Sequence, residues 1–123
     1  MQDPDCIFCR IVRGEIPSRK VYEDDDIFVF HDIRPQAPVH LLMIPKSHRA
    51  TMYDVTAEDA QALGRMMALT GKLAHDAGID DGFRLIVNTG RVGLQEVQHV
   101  HMHLIGGPES LGPMISRNSN RGE

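Results

Sequence analysis

The sequence predicts an α+β domain: a five-stranded antiparallel sheet with one long helix and one short N-terminal helix. Three observations carry that reading. The strand-like runs mostly follow one another, and a single long stretch has helical periodicity. The third is the segment His99-Val100-His101-Met102-His103-Leu104-Ile105, closed by Gly106-Gly107-Pro108. Its polar and apolar residues alternate with period two, as on a strand whose successive side chains point to opposite faces. Val100, Met102 and Leu104 then face a core, while His99, His101 and His103 share the other face, about 6–7 Å apart. A polar face made only of imidazoles is more than a solvated surface. Lysine, glutamate or threonine would serve that purpose without titrating near neutral pH.

Each element has its own local reason. Asp3-Pro4 reads as an N-cap followed by proline at the first helical position. Ile7, Phe8, Ile11 and Val12 give that short helix an apolar face, and Gly14 stops it. Val21-Tyr22-Glu23 is a short strand, Asp24-Asp25-Asp26 a turn, and Ile27 to His31 a second strand. The prolines of Arg34-Pro35-Gln36-Ala37-Pro38 exclude helix and central strand, so this is a loop. Val39 to Ile44 is a third strand, ended by Pro45. Thr56-Ala57-Glu58-Asp59 resembles a capping box. The helix it opens is expected to run to about Ala77, with Gly78 as its stop. Ala60, Leu63, Met67, Thr70, Ala74 and Ala77 mark its buried stripe, widened by Met66, Leu69 and Leu73, so it packs on a sheet. Asp80-Asp81-Gly82 is a turn, Phe83 to Thr89 a fourth strand, Gly90 to Gly93 a flexible loop, and the histidine segment the fifth strand.

The chain has 123 residues, which fits one domain spanning 1–123. Ser116 to Glu123 is polar and contains glycine, so this tail is expected to be mobile. With 41% hydrophobic and 24% charged residues, the composition is that of an ordinary globular protein. A net charge of −4 argues against a broad nucleic-acid-binding surface, though it leaves room for a local basic pocket. No apolar run reaches the ~20 residues that span a membrane. Met1-Gln2-Asp3-Pro4-Asp5 is acidic and has no apolar leader segment, so the cytoplasm is the expected location. There, two cysteines in CxxC spacing are thiols or metal ligands rather than a structural disulfide.

Three groups of residues carry chemistry. The alternating histidines can be metal ligands, or a nucleophile with acid–base partners. The loop Asn88-Thr89-Gly90-Arg91-Val92-Gly93-Leu94-Gln95-Glu96 leads directly into them. Its glycines let backbone N–H groups approach an anion, and Asn, Gln and Arg add donors, which suggests a phosphate cradle. It is neither a Walker loop nor a dinucleotide fingerprint: Gly71-Lys72 is followed by Leu73 inside the long helix. Cys6 and Cys9 can be a redox pair, buried thiols, or half of a zinc site. No strand precedes them, which disfavours the redox pair. Zinc needs four ligands, and His48 and His99 are the best candidates for the other two. Such a Cys₂His₂ site is closed and therefore structural. His40 alternates with Leu42 and Ile44 and can add a fourth imidazole. His31 precedes Asp32 at a strand end, and His75 is a surface residue.

From Asn88 through Gly106 the sequence resembles the signature of the histidine triad (HIT) family, in Asn88, Gly93, Gln95, Val97 and His-Val-His-Met-His-Leu-Ile-Gly. The likeness extends to Ile7-Phe8-Cys9-Arg10-Ile11, Gly14-Glu15-Ile16-Pro17, Phe30-His31-Asp32-Ile33, Pro35-Gln36-Ala37-Pro38-Val39-His40, Ile44-Pro45-Lys46 and Leu111-Gly112-Pro113-Met114. These segments are similar to the Hint branch, the purine nucleoside phosphoramidases or histidine triad nucleotide-binding proteins. The resemblance implies a homodimer whose two five-stranded sheets join into one. It also implies cleavage of a nucleoside 5′-phosphoramidate or an acyl- or aminoacyl-adenylate at the α-phosphorus. His101 would be the nucleophile and form a nucleotidyl-histidine that water hydrolyses. An imidazole with a pKa near ~6.5 is largely unprotonated in the cytoplasm and attacks without a strong base. His103 or His40 would give the leaving amine its proton. His103 would also hold the phosphate oxygens, and His99 would orient the triad while ligating zinc.

The same resemblance assigns the binding residues. Asp32 would take the ribose hydroxyls. Ile7, Phe8, Ile11, Phe30, His31, Ile33 and Leu42 would form the apolar slot around the base. Asn88, Gln95 and backbone N–H groups around Leu94 and Glu96 would form the α-phosphate cradle. Cys6, Cys9, His48 and His99 resemble the zinc site of some relatives, and no cofactor is implied for catalysis. Partners would be a purine nucleotide and a second copy, with no nucleic acid or membrane. Three positions depart from the family pattern. Leu94 stands where many relatives have glycine, Gln98 where an aromatic is common, and Glu96 where some have serine. A different class of function is a purine nucleotide-binding module with vestigial hydrolysis. A third reading, zinc held by the three triad histidines, is disfavoured by the better thiolate site at Cys6 and Cys9.

Overall fold

Ile27-Phe28-Val29-Phe30 and Leu41-Leu42-Met43-Ile44 are unbroken apolar runs, and strands of that kind need cover on both faces. The computed structural model, which describes residues 5–115, gives them that cover. Strand β1 (Lys20–Glu23) pairs with β2 (Ile27–His31), and β2 with β3 (Val39–Pro45). The long helix α2 (Ala60–Asp76) and strand β4 (Arg84–Ile86) precede β5 (Met102–Gly106). Sheet order is β1-β2-β3-β5-β4, and all four neighbouring pairs are antiparallel.

Ile27, Val29, Leu41, Met43, Met102 and Leu104 point to one face and form a core with Met66, Leu73 and Ala74 of α2. Phe28, Phe30, Leu42 and Ile44 point to the other face. There they meet Cys6 and the helix α1 (Ile7–Val12), through Phe8, Cys9 and Ile11. His40 and His103 have the parity of this second face, since Leu42 lies opposite His103 in the sheet. The α2 core therefore supports the sheet, and the α1 side carries the imidazoles. Leu104 is fully buried between Leu41 and Leu85 on neighbouring strands. Leu104→Ala is expected to cost about 2–5 kcal/mol in urea unfolding, since a cavity there has little room to collapse.

Both helices end where the glycines predict. Gly14 and Gly78 adopt φ of 80° and 82°, conformations open to glycine. The N–H groups of Gly14 and Glu15 return to Ile11 and Arg10, and those of Gly78 and Ile79 to His75 and Ala74. Each is a Schellman closure. The capping box at Thr56 forms: its hydroxyl accepts from Glu58 N, and Asp59 accepts from Thr56 N. It opens a 3₁₀ turn, Ala57–Asp59, before α2 begins. A second capping box, Thr51 with Asp54, was not foreseen.

Four expectations are corrected. Asp3 and Pro4, like the tail 116–123, lie outside the described residues, and α1 itself begins at Ile7 with Cys6 as its N-cap. Ala60, Met67 and Ala77 are exposed, and the buried stripe runs through Leu63, Met66, Thr70, Leu73 and Ala74. Leu63, Thr70 and Ala74 keep their expected places, and the stripe turns toward Met66 and Leu73 and away from Ala60, Met67 and Ala77. The fourth strand is only Arg84–Ile86, without Val87, Asn88 and Thr89. The fifth begins at Met102, so His99 and His101 precede it. The last ladder pair is Met43 with Met102. Beyond it Pro45 has no N–H to offer, its carbonyl accepts from the His99 side chain, and Val100 N turns to Arg49 O.

Candidate active site

The imidazoles divide into two groups. His101 is buried and His103 half-buried, with ring centroids 5.1 Å apart. His40, buried on β3, lies against His103 with centroids 5.0 Å apart. His99 does not share their face: it is fully buried and turned toward the cysteines. This corrects the expectation of three imidazoles in one row. The row requires a regular strand, and the strand starts only at Met102.

Hydrogen-bond partners assign each tautomer. The Gln36 N–H donates to His40 Nδ1 at 2.9 Å, so the His40 proton sits on Nε2. That Nε2–H donates to His103 Nδ1 at 2.8 Å, with Asp32 Oδ2 3.4 Å away. The His103 proton is therefore on Nε2. His101 Nδ1–H donates to the His99 carbonyl at 2.7 Å, which leaves a lone pair on His101 Nε2. Every fully buried side-chain nitrogen or oxygen among the described residues has a partner. His101 Nε2 has no partner among the described residues, so it is not fully buried. A nucleophilic lone pair and an N–H donor thus stand on adjacent rings. Gln36 acts through its main chain, and its side-chain identity gave no signal of this.

Burial holds His103 down to about 4 from its ordinary 6.5, helped by His101 and His40 and opposed by Asp32. His40 is lowered by burial, again against Asp32, and buried His99 is also held at about 4. The unfolded chain takes up these protons more readily than the folded one. Stability is therefore complete above pH 6.5 and lost as pH falls from there through about 4. The midpoint of thermal unfolding should drop across that window, and less steeply in His103→Asn.

Around the imidazoles, Phe8, Ile11, Phe30 and Leu42 belong to one apolar cluster, and Phe8 sets its ring edge-on to Phe30 and His101. Ile7 and Ile33 stand outside that cluster, 47% and 89% exposed, and His31 is half-buried. Asp32 Oδ1 accepts from Arg34 N at 2.7 Å, while Oδ2 faces His40.

The Gly-rich loop is stapled by Gln95. Its Oε1 accepts from Gly90 N at 2.9 Å, and its Nε2 donates to Ala50 O and Val97 O. Asn88 is half-buried at the start of the loop, and Glu96 is exposed at its end. At Gly93 an added Cβ would sit 2.5 Å from Thr89 O. Leu94 has φ 60°, and no other described non-glycine residue has positive φ. Its side chain is 77% exposed, so no packing offsets the strain. Leu94→Gly is expected to stabilise the protein by about 0.5–1 kcal/mol, read as a raised thermal midpoint.

Cys6, Cys9, His48 and His99 bring their ligand atoms together. His99 Nδ1 lies 3.3 Å from Cys6 Sγ, 3.5 Å from Cys9 Sγ and 3.1 Å from His48 Nδ1. Cys9 Sγ is 3.5 Å from His48 Nδ1. A tetrahedral zinc with ordinary bond lengths needs edges of about 3.3–3.6 Å between such atoms. His99 donates its Nε2–H to Pro45 O at 2.7 Å, which aims the Nδ1 lone pair into the cluster. Donor set and geometry fit zinc. Burial pushes the Cys6 thiol up to about 11, so metal uptake there displaces a proton. His48 and Cys6 also line a cavity of about 360 Å³ with Asp5, Ile7, Ala50, Glu96, Val97 and Gln98. Asp32, His40 and His103 form a second close group, but its nitrogens are 2.8 Å apart and share a proton. It is a hydrogen-bonded pair beside a carboxylate.

A mixed α/β domain with paired imidazoles beside a glycine loop defines a class of protein, and the HIT domain model matches residues 13–110. The chain belongs to the HIT family, and it is a hydrolase of that family. It is 55% identical over 111 residues to the purine nucleoside phosphoramidase of Escherichia coli K12, covering 89% of this chain and 92% of that protein. A HIT family hydrolase from Clostridium thermocellum superposes with a TM-score of 0.87 at 40% identity, over 94% of this chain and all of that one, 100%. A histidine triad nucleotide-binding protein from Candida albicans gives a TM-score of 0.74 at 32% identity, over 89% and 87% of the two chains. No helix among the described residues is long and apolar enough to cross a membrane.

Proposed function

We propose that this chain cleaves nucleoside 5′-phosphoramidates, or acyl- and aminoacyl-adenylates, at the α-phosphorus through a nucleotidyl-His101 intermediate. The observation that carries the reading is the pair of complementary tautomers: a lone pair on His101 Nε2 beside an N–H on His103 Nε2. The relative named a purine nucleoside phosphoramidase supports the same reaction class.

His101 Nε2 attacks phosphorus, a P–N(His) bond forms, and the bond to the leaving amine breaks. The amine needs a proton. His103 is neutral in the empty site, but a phosphate anion beside it opposes the effect of burial and favours the imidazolium. The added proton sits on His103 Nδ1, so the His40 Nε2–H turns from His103 to Asp32 Oδ2, 3.4 Å away, and His103 donates its Nε2–H to the amine. Water then attacks the nucleotidyl-histidine, returns a proton to His103 and frees His101. His40 holds neutral His103 through its Nε2–H and turns that N–H to Asp32 once the imidazolium forms, so it is committed in both states and His40 is not the acid. His99 supplies the carbonyl that keeps His101 in the reactive tautomer.

Asp32 takes the ribose hydroxyls, and Ile7, Phe8, Ile11, Phe30, His31, Ile33 and Leu42 bound the base. Asn88 and the N–H groups around Leu94 and Glu96 bind the α-phosphate. Gln95 shapes that cradle from behind, since both ends of its amide are engaged with the protein. Zinc held by Cys6, Cys9, His48 and His99 is structural and takes no part in bond breaking. Two copies join sheet to sheet through the free edge of β4. Exposed Phe83 and Val87 flank that edge, whereas the opposite edge carries the Lys20–Glu23 ion pair. Two buried cysteines not joined in a disulfide suit the reducing cytoplasm.

The test is release of AMP from adenosine 5′-phosphoramidate, with acid-quenched samples analysed by mass spectrometry for an adenylated peptide containing His101. Turnover with adenylated His101 supports the reading. Tight AMP binding without turnover points instead to the nucleotide-binding module.

A further inference from the structure

His99 belongs to two clusters at once. Its Nδ1 faces Cys6, Cys9 and His48, and its carbonyl oxygen accepts the Nδ1–H of His101 at 2.7 Å. A second link runs through Phe8, which lies between the two cysteines in the chain. Its ring is edge-on to both His99 and His101, at centroid distances of 6.0 and 5.2 Å. The segment that carries His101 is outside the sheet: ladder pairing starts at Met102. Its backbone is held by His99 N to Val97 O and by Val100 N to Arg49 O. Something other than strand pairing must fix the His99 carbonyl.

We propose that Cys6, Cys9, His48 and His99 are positioning residues for His101. Drawn together on a zinc ion, they clamp the His99 peptide and the Phe8 ring, and so hold His101 in the tautomer and orientation that present Nε2 to phosphorus. The physical basis is that a neutral imidazole in water interchanges its tautomers, and an acceptor fixed in space selects one. Metal binding and the nucleophile are thus coupled across one residue. This rests on the reading of His101 as nucleophile given above.

The experiment compares the zinc-loaded protein with protein stripped by a chelator, and then with zinc added back. Three quantities are read: the imidazole nitrogen NMR signals of His101, the affinity for AMP, and the single-turnover rate of nucleotidyl transfer from adenosine 5′-phosphoramidate. The loaded protein should take up one zinc and give His101 signals of a single Nδ1–H tautomer. Stripping should average the tautomers and slow transfer by about tenfold or more, with AMP affinity changed less than about twofold, and zinc should restore both. A tautomer and rate that survive stripping while the thermal midpoint falls would leave the tetrad a purely structural clasp and overturn the proposal. So would failure to take up zinc.

If the stripped protein does not fold, Phe8→Leu in the loaded protein removes one of the two links and leaves all four ligands in place. Partial tautomer averaging is then expected, and an unchanged tautomer and transfer rate would count against the coupling. Failure of the nucleophile reading looks different: no adenylated His101 in the loaded protein, with the NMR comparison still readable.

Discussion

Replacing His101 by alanine is expected to abolish AMP release from adenosine 5′-phosphoramidate, with kcat lower by at least about a thousandfold. The side chain is the proposed site of covalent attachment, and no second imidazole can replace it. His103 Nδ1 is occupied by His40, and His99 is fully buried with its Nδ1 aimed at the cysteines. AMP binding should survive, because the proposed base slot and phosphate cradle use other residues. Acid-quenched mass spectrometry checks the point directly: the wild type carries an adenylated peptide and the variant none. Full turnover by His101→Ala would rule out the covalent route.

The second large effect is expected at Gly93. A methyl group there would lie 2.5 Å from the oxygen and 2.8 Å from the nitrogen of Thr89, and both are main-chain atoms. The loop has to open to admit it, breaking the Gly93 N–H bond to Thr89 O. Gly93→Ala should lower AMP affinity by tenfold or more and cost about 1–3 kcal/mol of stability. Titration calorimetry and urea unfolding read the two effects. Gly90 is the internal control: it has φ 69° but open space around its Cα. Gly90→Ala is expected to cost only about 1 kcal/mol of backbone strain and to retain most of the binding. Equal losses at the two glycines would show that strain, rather than close approach, shapes the cradle.

Much of the site is legible in sequence because its chemistry is local. The period-two histidines, the CxxC spacing, the loop from Asn88 to Glu96 and the stop glycines each encode a short-range geometry. That geometry survives in the fold as a candidate ligand cluster, a stapled turn and two helix ends, whereas of the three histidines only His101 and His103 keep a mutual ring contact. The positive φ of Leu94 falls where the resemblance places glycine in many relatives, a signal that lies in the comparison and not in the leucine itself. The apolar slot was less legible. The resemblance places Ile7 and Ile33 in the slot, and how far each is exposed depends on where α1 and the loop after β2 come to rest.

The sequence by itself determined the class of fold, the two helices and their glycine stops, the number of strands, and the four residues that gather as a candidate metal cluster. Local periodicity, caps and residue chemistry suffice for these. Only the tertiary structure decided which way each imidazole points and where its proton sits. Those outcomes depend on partners distant in the chain: the Gln36 N–H for His40, the Pro45 carbonyl for His99, and the end of the β3–β5 ladder that leaves His101 outside the strand. A tautomer is set by the donor or acceptor that faces the ring, and which group faces it is known only once the chain has folded.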